Sequence, residues 1–153
     1  MNKKWVKIAS LAVFCIAAVY AMIYVDVTLR ARSAYLEGEK YWQWNENPAL
    51  KKAALDGEFQ RQKSALDAKL AKGKLTQDEY NKQLDIAGVN RDERMSESSI
   101  KYAYIWYQTV VELFSPPESK WVKLSREKMP KAKEMWKAEL RARKIPFEDY
   151  MLE

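Results

Sequence analysis

The feature that most constrains this chain is one uninterrupted apolar stretch near its N-terminus. Residues 8–25 read IASLAVFCIAAVYAMIYV and contain no charged residue, proline or glycine. As an α-helix this stretch is about 27 Å long, at about 1.5 Å per residue, close to the roughly 30 Å hydrocarbon core of a bilayer. Aromatic residues that favour the membrane–water boundary stand near both ends, Trp5 at one and Tyr20 and Tyr24 at the other. The stretch therefore predicts one transmembrane helix with these three side chains at the lipid interface.

A cleaved secretory signal is the alternative interpretation of the same residues. Lys3, Lys4 and Lys7 form a basic start, and a cut after Ala21 is compatible with the residues before it. However, the apolar run continues to Val25, beyond the roughly 7–15 residues of a signal core. The membrane anchor is therefore the favoured interpretation.

The charges beside the stretch predict its orientation, because basic residues near the end of a span resist translocation. Three lysines precede it, whereas Arg30 and Arg32 follow it and are partly offset by Asp26. This bias places the N-terminus, residues 1–7, in the cytoplasm and the C-terminal body outside. In a bacterium the predicted location is the inner membrane, with the body in the periplasm.

The residue types present argue against catalysis. The chain has no histidine, which removes the commonest general base and the usual haem and zinc ligand. The single cysteine, Cys15, lies inside the apolar stretch, which excludes disulfides within the chain and cysteine-ligated metal sites. Neighbouring carboxylates such as Asp78 and Glu79 point in different directions on a helix and form no acid–base pair. We expect no enzyme activity, no cofactor, no metal and no small-molecule substrate.

The charge and the aromatic content indicate which partners the chain meets. The formal net charge is +6, and residues 120–144 alone carry ten Lys or Arg against three Glu. A chain anchored in a membrane and facing outward rarely meets nucleic acid, so anionic lipid or an acidic protein surface is the expected target. Six Trp and nine Tyr favour a protein interface, where such residues are enriched.

Few glycines and prolines, four and five, predict an all-α chain: a single N-terminal transmembrane helix followed by an extended helical extracytoplasmic region. The predicted order is a stalk helix over 26–44, a helical body over 45–114 and a proline-punctuated C-terminal arm over 115–153. Within the body, Asn47 and Pro48 start one amphipathic helix. Thr76 and Glu79 form the capping box of a second, which Gly88 ends. Residues 90–99 are then expected to be a linker or a frayed helix start.

Residues 66–85, LDAKLAKGKLTQDEYNKQLD, form a basic helix, a Gly-Lys-Leu-Thr turn and an acidic, aromatic second helix. The segment resembles the short helical hairpin of the SHOCT family. The resemblance covers this segment only, which is internal here, whereas the family hairpin usually lies at a C-terminus. It implies self-association, and a homo-oligomer would form through the hairpin between Leu55 and Leu84. The alternative is an ordinary helical hairpin, since a capping box and a glycine stop produce the same letters.

The last third of the chain combines an apolar helix with the arm. The helix, residues 100–114, has apolar residues at steps of three and four and ends at Ser115-Pro116-Pro117. In the arm, Met129-Pro130 is expected to separate helices over 118–128 and 130–143. The arm either wraps over a partner or folds back on the apolar helix. The residues predicted to bind a partner are Ala17, Ala21, Trp42, Trp44, Tyr104, Trp106, Tyr107, Trp121, Trp136 and Phe147.

Together these features favour a non-catalytic accessory or structural subunit of a multisubunit membrane complex. The expected host is a larger integral membrane complex, respiratory or otherwise energy-transducing. The alternative is a self-associating, membrane-anchored envelope adaptor or chaperone-like protein.

Overall fold

The computed structural model describes the backbone of residues 3–152 and the side chains of residues 7, 8 and 10–152. Its α-helices are α1 Lys3–Glu46, α2 Pro48–Ala71, α3 Gln77–Ser96, α4 Ser99–Leu113 and α5 Lys120–Ala142, followed by a short 3-10 helix, Asp149–Leu152. No strand occurs within residues 3–152. The prediction of an all-α fold is confirmed.

The predicted span and the predicted stalk form one continuous helix, α1. No proline interrupts it, and its one glycine, Gly38, lies within the helix. The helix ends at Glu46, just before Asn47, because a residue that precedes proline is disfavoured in the helical conformation. The portion Ser10–Glu46 is long and apolar enough, by length and composition, to cross a membrane.

The chain divides into two compact units. Unit 1 comprises Met1–Glu39 and Lys101–Glu153, and unit 2 comprises Lys40–Ile100. The boundaries between them fall inside α1 and inside α4.

Unit 2 contains a helical hairpin made of α2 and α3. Asn47 caps α2, its side chain accepting a hydrogen bond from the backbone N–H of Ala49 at 3.2 Å. Thr76 and Glu79 form the predicted capping box of α3: the Thr76 hydroxyl accepts from the Glu79 N–H at 3.3 Å, and the Glu79 carboxylate accepts from the Thr76 N–H at 2.9 Å. Gly73, in the turn between the helices, has a φ of +65°, which glycine adopts without strain.

The prediction that α3 ends at Gly88 is wrong, because α3 continues to Ser96. Residues 90–96 are therefore neither a linker nor the start of the next helix. A glycine inside a helix costs only about 1 kcal/mol relative to alanine. Contacts with α2 offset that cost: Arg91 pairs with Asp56 at 2.7 Å, and Arg94 with Glu58 at 2.8 Å. These pairs join residues more than thirty positions apart, so the local sequence gives no sign of them.

The prediction of a helix break at Met129-Pro130 is also wrong, because α5 continues through Pro130. A proline in a helix interior costs about 3 kcal/mol through a lost hydrogen bond and a steric clash. Residues on both sides of Pro130 are fully buried, Val122 and Ser125 before it and Ala132 after it. Burial of both halves in unit 1 outweighs the local cost. The predicted stop at Ser115-Pro116-Pro117 is confirmed, since α4 ends at Leu113.

The core of unit 1 combines α1, α4 and α5. α4 contributes its predicted apolar stripe, of which Ala103, Tyr107 and Val110 are fully buried. The buried residues from α1 and α5 are Ala31, Ala34, Tyr35, Val122, Ser125 and Ala132. The segment of α1 that follows the apolar stretch is therefore held against two other helices.

Candidate membrane anchor and interhelical polar cluster

The side chains that the structure describes in the apolar stretch of α1, residues 8 and 10–25, are exposed except for the half-buried Ala18. In the most apolar 18-residue window of Ser10–Glu46, no residue is buried against the rest of the described chain. Phe14 exposes 69% of its surface, and Tyr20 and Tyr24, the residues predicted for the lipid interface, expose 72% and 56%. The side chain of Trp5 lies outside the described residues. Burying so much apolar surface requires lipid or another protein.

Ala17 and Ala21 lie one turn apart on this exposed helix. Small residues four positions apart allow the backbone of a second transmembrane helix to approach closely. Both alanines are exposed, so no described part of the chain blocks the surface on which a second helix would pack.

The next site toward the C-terminus is a polar cluster at a junction of three helices in unit 1, which we name the Glu39 clamp: Tyr35 and Glu39 of α1, Tyr107 of α4 and Lys128 of α5. The Tyr107 hydroxyl donates to Glu39 Oε1 at 2.6 Å. Lys128 Nζ donates to both carboxylate oxygens of Glu39, at 2.6 and 2.7 Å. Tyr35 also hydrogen-bonds to Glu39. One carboxylate thus connects the three helices.

The surroundings of the Glu39 clamp shift the pKa values of two groups. Partial burial tends to raise the pKa of Glu39, but hydrogen bonds from Lys128 and Tyr107 outweigh it and hold that pKa below its ordinary value. Burial, followed by the nearby Glu39 carboxylate, raises the pKa of Tyr35 to about 12. Both shifts favour an ionised Glu39 and a neutral Tyr35 at neutral pH, the states in which the hydrogen bonds form.

Gly38 lets α1 and α4 approach at the same level. A Cβ at this position would lie 2.7 and 2.9 Å from two ring carbons of Tyr107, which is fully buried. By helix propensity alone, a glycine at this position weakens α1. In the structure it provides the space that the Tyr107 ring occupies.

The structure places two predicted partner-binding residues of α5 against the chain itself. The ring centroid of Trp121 lies 5.5 Å from that of Tyr35, and that of Trp136 lies 5.8 Å from that of Tyr104. Both tryptophans remain partly exposed. The packing of α5 in unit 1 therefore follows the fold-back alternative for the arm. Only the outer surfaces of Trp121 and Trp136 remain available for contact with another protein.

The other predicted partner-binding residues differ in accessibility. Tyr104 and Tyr107 are buried within unit 1, where the Tyr104 hydroxyl donates to the Leu152 carbonyl oxygen at 2.9 Å. Trp106 and Phe147 are partly exposed. In unit 2, Trp44 is largely buried edge-on against Tyr41, at 5.1 Å between centroids. Trp42 is partly exposed and donates its ring N–H to Glu46 at 2.8 Å.

Sequence reasoning misses the polar residues that connect helices. Glu39 and Lys128 are two of many charged residues, and only the position of Glu39 one turn after Tyr35 hints at its role. Lys51 of α2 is buried, and its Nζ donates to the carbonyl oxygens of Met95 and Glu97 at 3.1 and 2.6 Å. The signal in the sequence is its spacing of four from Leu55, which places a lysine on the apolar side of α2.

The hairpin of unit 2 has an open groove of about 340 Å³ between α2 and α3. Leu66 and Ala87 lie at its base, and Ile86 lines it while exposing 51% of its surface. Tyr80 donates to Asp67 at 2.7 Å across the turn that resembles the SHOCT hairpin. The groove is the candidate surface for the self-association that the resemblance implies.

Among the described residues, no group of three or more Cys, Asp or Glu side chains is placed to hold a metal ion. The groups gathered in the Glu39 clamp are engaged with one another. What the arrangement can do is hold three helices together beside an exposed apolar helix.

Comparisons of the chain with protein families, with curated proteins and with solved structures find no match. The function must therefore be argued from the residues and the geometry.

Proposed function

We propose that this protein is a non-catalytic, single-span accessory subunit that stabilises a larger integral membrane protein complex. One observation carries the proposal: the apolar part of α1 is uncovered by the rest of the chain, so it needs lipid or another protein around it. Ala17 and Ala21 give a partner helix a place to pack there.

The Glu39 clamp supports the same role. It fixes α4 and α5 to the segment of α1 that follows the apolar stretch, without a flexible linker. A partner helix on the anchor would therefore be joined through one continuous helix to a folded body. That connection suits a stabilising subunit of a complex, respiratory or otherwise energy-transducing.

The proposed location is the inner membrane of a bacterium. The N-terminus faces the cytoplasm and the helical units face the periplasm. The support is the excess of lysines before residues 8–25.

Copurification tests the proposal. The full chain with a C-terminal affinity tag is extracted in mild detergent, and the copurifying proteins are quantified by mass spectrometry. We expect integral membrane proteins in a constant ratio to the tagged chain. Ala17→Leu with Ala21→Leu should lower their yield several-fold while leaving membrane insertion unchanged. The matched control is Ile16→Leu with Val19→Leu, which alters exposed large residues of the same helix.

A self-associating envelope adaptor is the second candidate, favoured by the groove between α2 and α3 and by exposed Ile86 and Val89, at 51% and 64%. Native mass spectrometry of the purified full chain separates the candidates. A defined homo-oligomer that Ile86→Glu dissociates supports the adaptor. A monomer that copurifies with other membrane proteins supports the accessory subunit, and a monomer with none contradicts both.

A further inference from the structure

The end of unit 1 that lies nearest to the anchor has a surface of its own. Leu29 follows the last residue of the apolar stretch, Val25, by four positions, which is about 6 Å along a helix. It is 55% exposed. The polar headgroup layer of a bilayer adds about 5–8 Å on each side of the hydrocarbon core. If residues 8–25 fill the core, Leu29 lies in the headgroup layer.

The turn between α4 and α5 lies at the same level of α1. Phe114 lines one groove with Leu29 and Ala34, of about 400 Å³. Six residues further on, α5 begins, and its Trp121 lies beside Arg32, whose guanidinium carbon is 5.9 Å from the ring centroid. Tyr107 is level with Glu39 and Phe114 with Leu29, so α4 runs back toward the anchor. Trp121 is level with Arg32 and Lys128 with Glu39, so α5 runs away from it.

This turn exposes apolar and basic side chains together. Leu113 is 71% exposed, among the most exposed large apolar residues of the described chain. Lys120 and Lys123 of α5 are exposed, and Lys120 Nζ lies 5.4 Å from the Trp121 ring centroid. A leucine that is exposed to water in the isolated chain would instead contact lipid at a bilayer surface, and the lysines beside it would attract anionic headgroups.

Acidic groups at this end are partly neutralised within the chain. Glu118 accepts two hydrogen bonds from Arg126, at 2.7 and 2.8 Å. Asp26 pairs with Arg30 at 2.8 Å. Glu112 keeps its charge, since the neutral Gln108 amide only donates a hydrogen bond to it, at 2.8 Å. Around the turn and the adjoining part of α1, five basic residues outnumber four acidic ones, so this end carries a small positive charge: Arg30, Arg32, Lys120, Lys123 and Arg126 against Asp26, Glu37, Glu112 and Glu118.

We propose that the turn over residues 113–120 docks on the bilayer in the leaflet from which α1 emerges, with Leu113 and Phe114 among the headgroups and Lys120 and Lys123 on anionic phosphates. The inference rests on the proposed function in one respect, the membrane insertion of residues 8–25. It adds a second, peripheral lipid contact that fixes the body close to the membrane.

Nitroxide spin labels on the full chain in lipid nanodiscs test this docking. One label is placed on the native Cys15, and two more on Leu113→Cys and Tyr150→Cys in a Cys15→Ala background. Tyr150 is the matched control, because it is 69% exposed and precedes Leu152, which bonds to Tyr104 in the first half of α4, far from the turn. Circular dichroism checks that each labelled variant keeps its helix content.

The expected result is that the labels on Cys15 and at position 113 relax more with oxygen, which concentrates in lipid, than with a water-soluble nickel chelate. The label at position 150 should show the opposite preference. Adding phosphatidylglycerol to phosphatidylcholine nanodiscs should move the label at position 113 deeper, and Lys120→Gln with Lys123→Gln should abolish that change.

The outcomes separate the two proposals. A label on Cys15 that is accessible to the nickel chelate overturns the membrane anchor and the docking with it. A lipid-embedded Cys15 with position 113 as accessible to the chelate as position 150 overturns the docking alone, and leaves the turn as a surface for a partner protein.

Discussion

At the scale of single residues, Gly38 and Glu39 show how contacts with other helices can outweigh what the residue type alone indicates. Gly38 is a helix-weakening residue by propensity, and yet its missing Cβ is what admits the Tyr107 ring. Glu39 is an ordinary surface charge by composition, and yet it receives hydrogen bonds from two other helices. The contribution of each residue to stability depends on the helices that pack around it.

Gly38→Ala is expected to lower the stability of unit 1. The added methyl group meets the ring of Tyr107, and overpacking of this kind costs about 1–3 kcal/mol. The gain in helix propensity, about 1 kcal/mol, offsets only part of that. Gly88→Ala is the matched control: its Cβ would meet nothing within 4 Å, so the same substitution in α3 should stabilise. Thermal unfolding in detergent, followed by circular dichroism, measures both. Equal stabilisation by the two substitutions would contradict the close approach at Gly38.

Glu39→Gln is expected to make the stability of unit 1 less dependent on acid pH. The pKa of Glu39 is lowered in the folded chain, so its contribution is fully present above the pKa of the unfolded chain. That contribution is lost as the pH falls through the lower, folded value. Near neutral pH the substitution should cost on the order of 1–2 kcal/mol, since the contacts are charged but partly exposed.

Denaturant unfolding from pH 7 down to pH 3 measures this difference. Lys128→Met removes the other charged partner, and the double variant should lose less than the sum of the two single losses. Strict additivity would show that Glu39 and Lys128 do not interact. An unchanged pH profile in Glu39→Gln would show that ionisation of Glu39 contributes no stability.

At the scale of helices, the sequence predicts starts and stops whose causes are local. Asn47 with Pro48 and Thr76 with Glu79 are predicted correctly because a cap is made by residues two or three positions apart. The extensions past Gly88 and Pro130 are missed because their causes are distant. Arg91 and Arg94 reach across to α2, and α5 is buried on both sides of its proline. A local cost of about 1–3 kcal/mol is smaller than the tertiary contacts that override it.

Pro130→Ala is expected to stabilise the protein by about 1–3 kcal/mol, because alanine restores a backbone donor and removes a clash inside a continuous helix. If the helix were broken at Pro130, the substitution would give no such increase in stability. Pro146→Ala is the control, since Pro146 lies outside any helix and should give no such gain. Denaturant unfolding of the three chains compares them, and equal effects at the two prolines would show that α5 is interrupted.

At the scale of the whole molecule, the long apolar helix is easier to predict from the sequence than the set of aromatic side chains that stay exposed. An apolar run of this length is recognisable without tertiary information, and the structure leaves it uncovered. Aromatic residues are ambiguous, because the same amphipathic rings suit an interface or an interior. Tyr107 is fully buried, whereas Trp106 beside it stays partly exposed. Which of two adjacent rings faces outward depends on the helices packed around them.

The proposed topology predicts that externally added protease digests the C-terminal body in spheroplasts and leaves the N-terminal tag of a doubly tagged chain protected. The physical reason is the resistance of Lys3, Lys4 and Lys7 to translocation. Replacing the three by Gln leaves Arg30 and Arg32 as the main basic residues near the span, so a fraction of the chains should reverse and protect their C-terminal tag. Immunoblots against both tags measure the two fractions. A cytoplasmic protein that the protease digests only after lysis serves as the control for sealed membranes. Protection of the C-terminal tag in the unsubstituted chain would reverse the proposed orientation and place the helical body, with any partner that it contacts, on the cytoplasmic side.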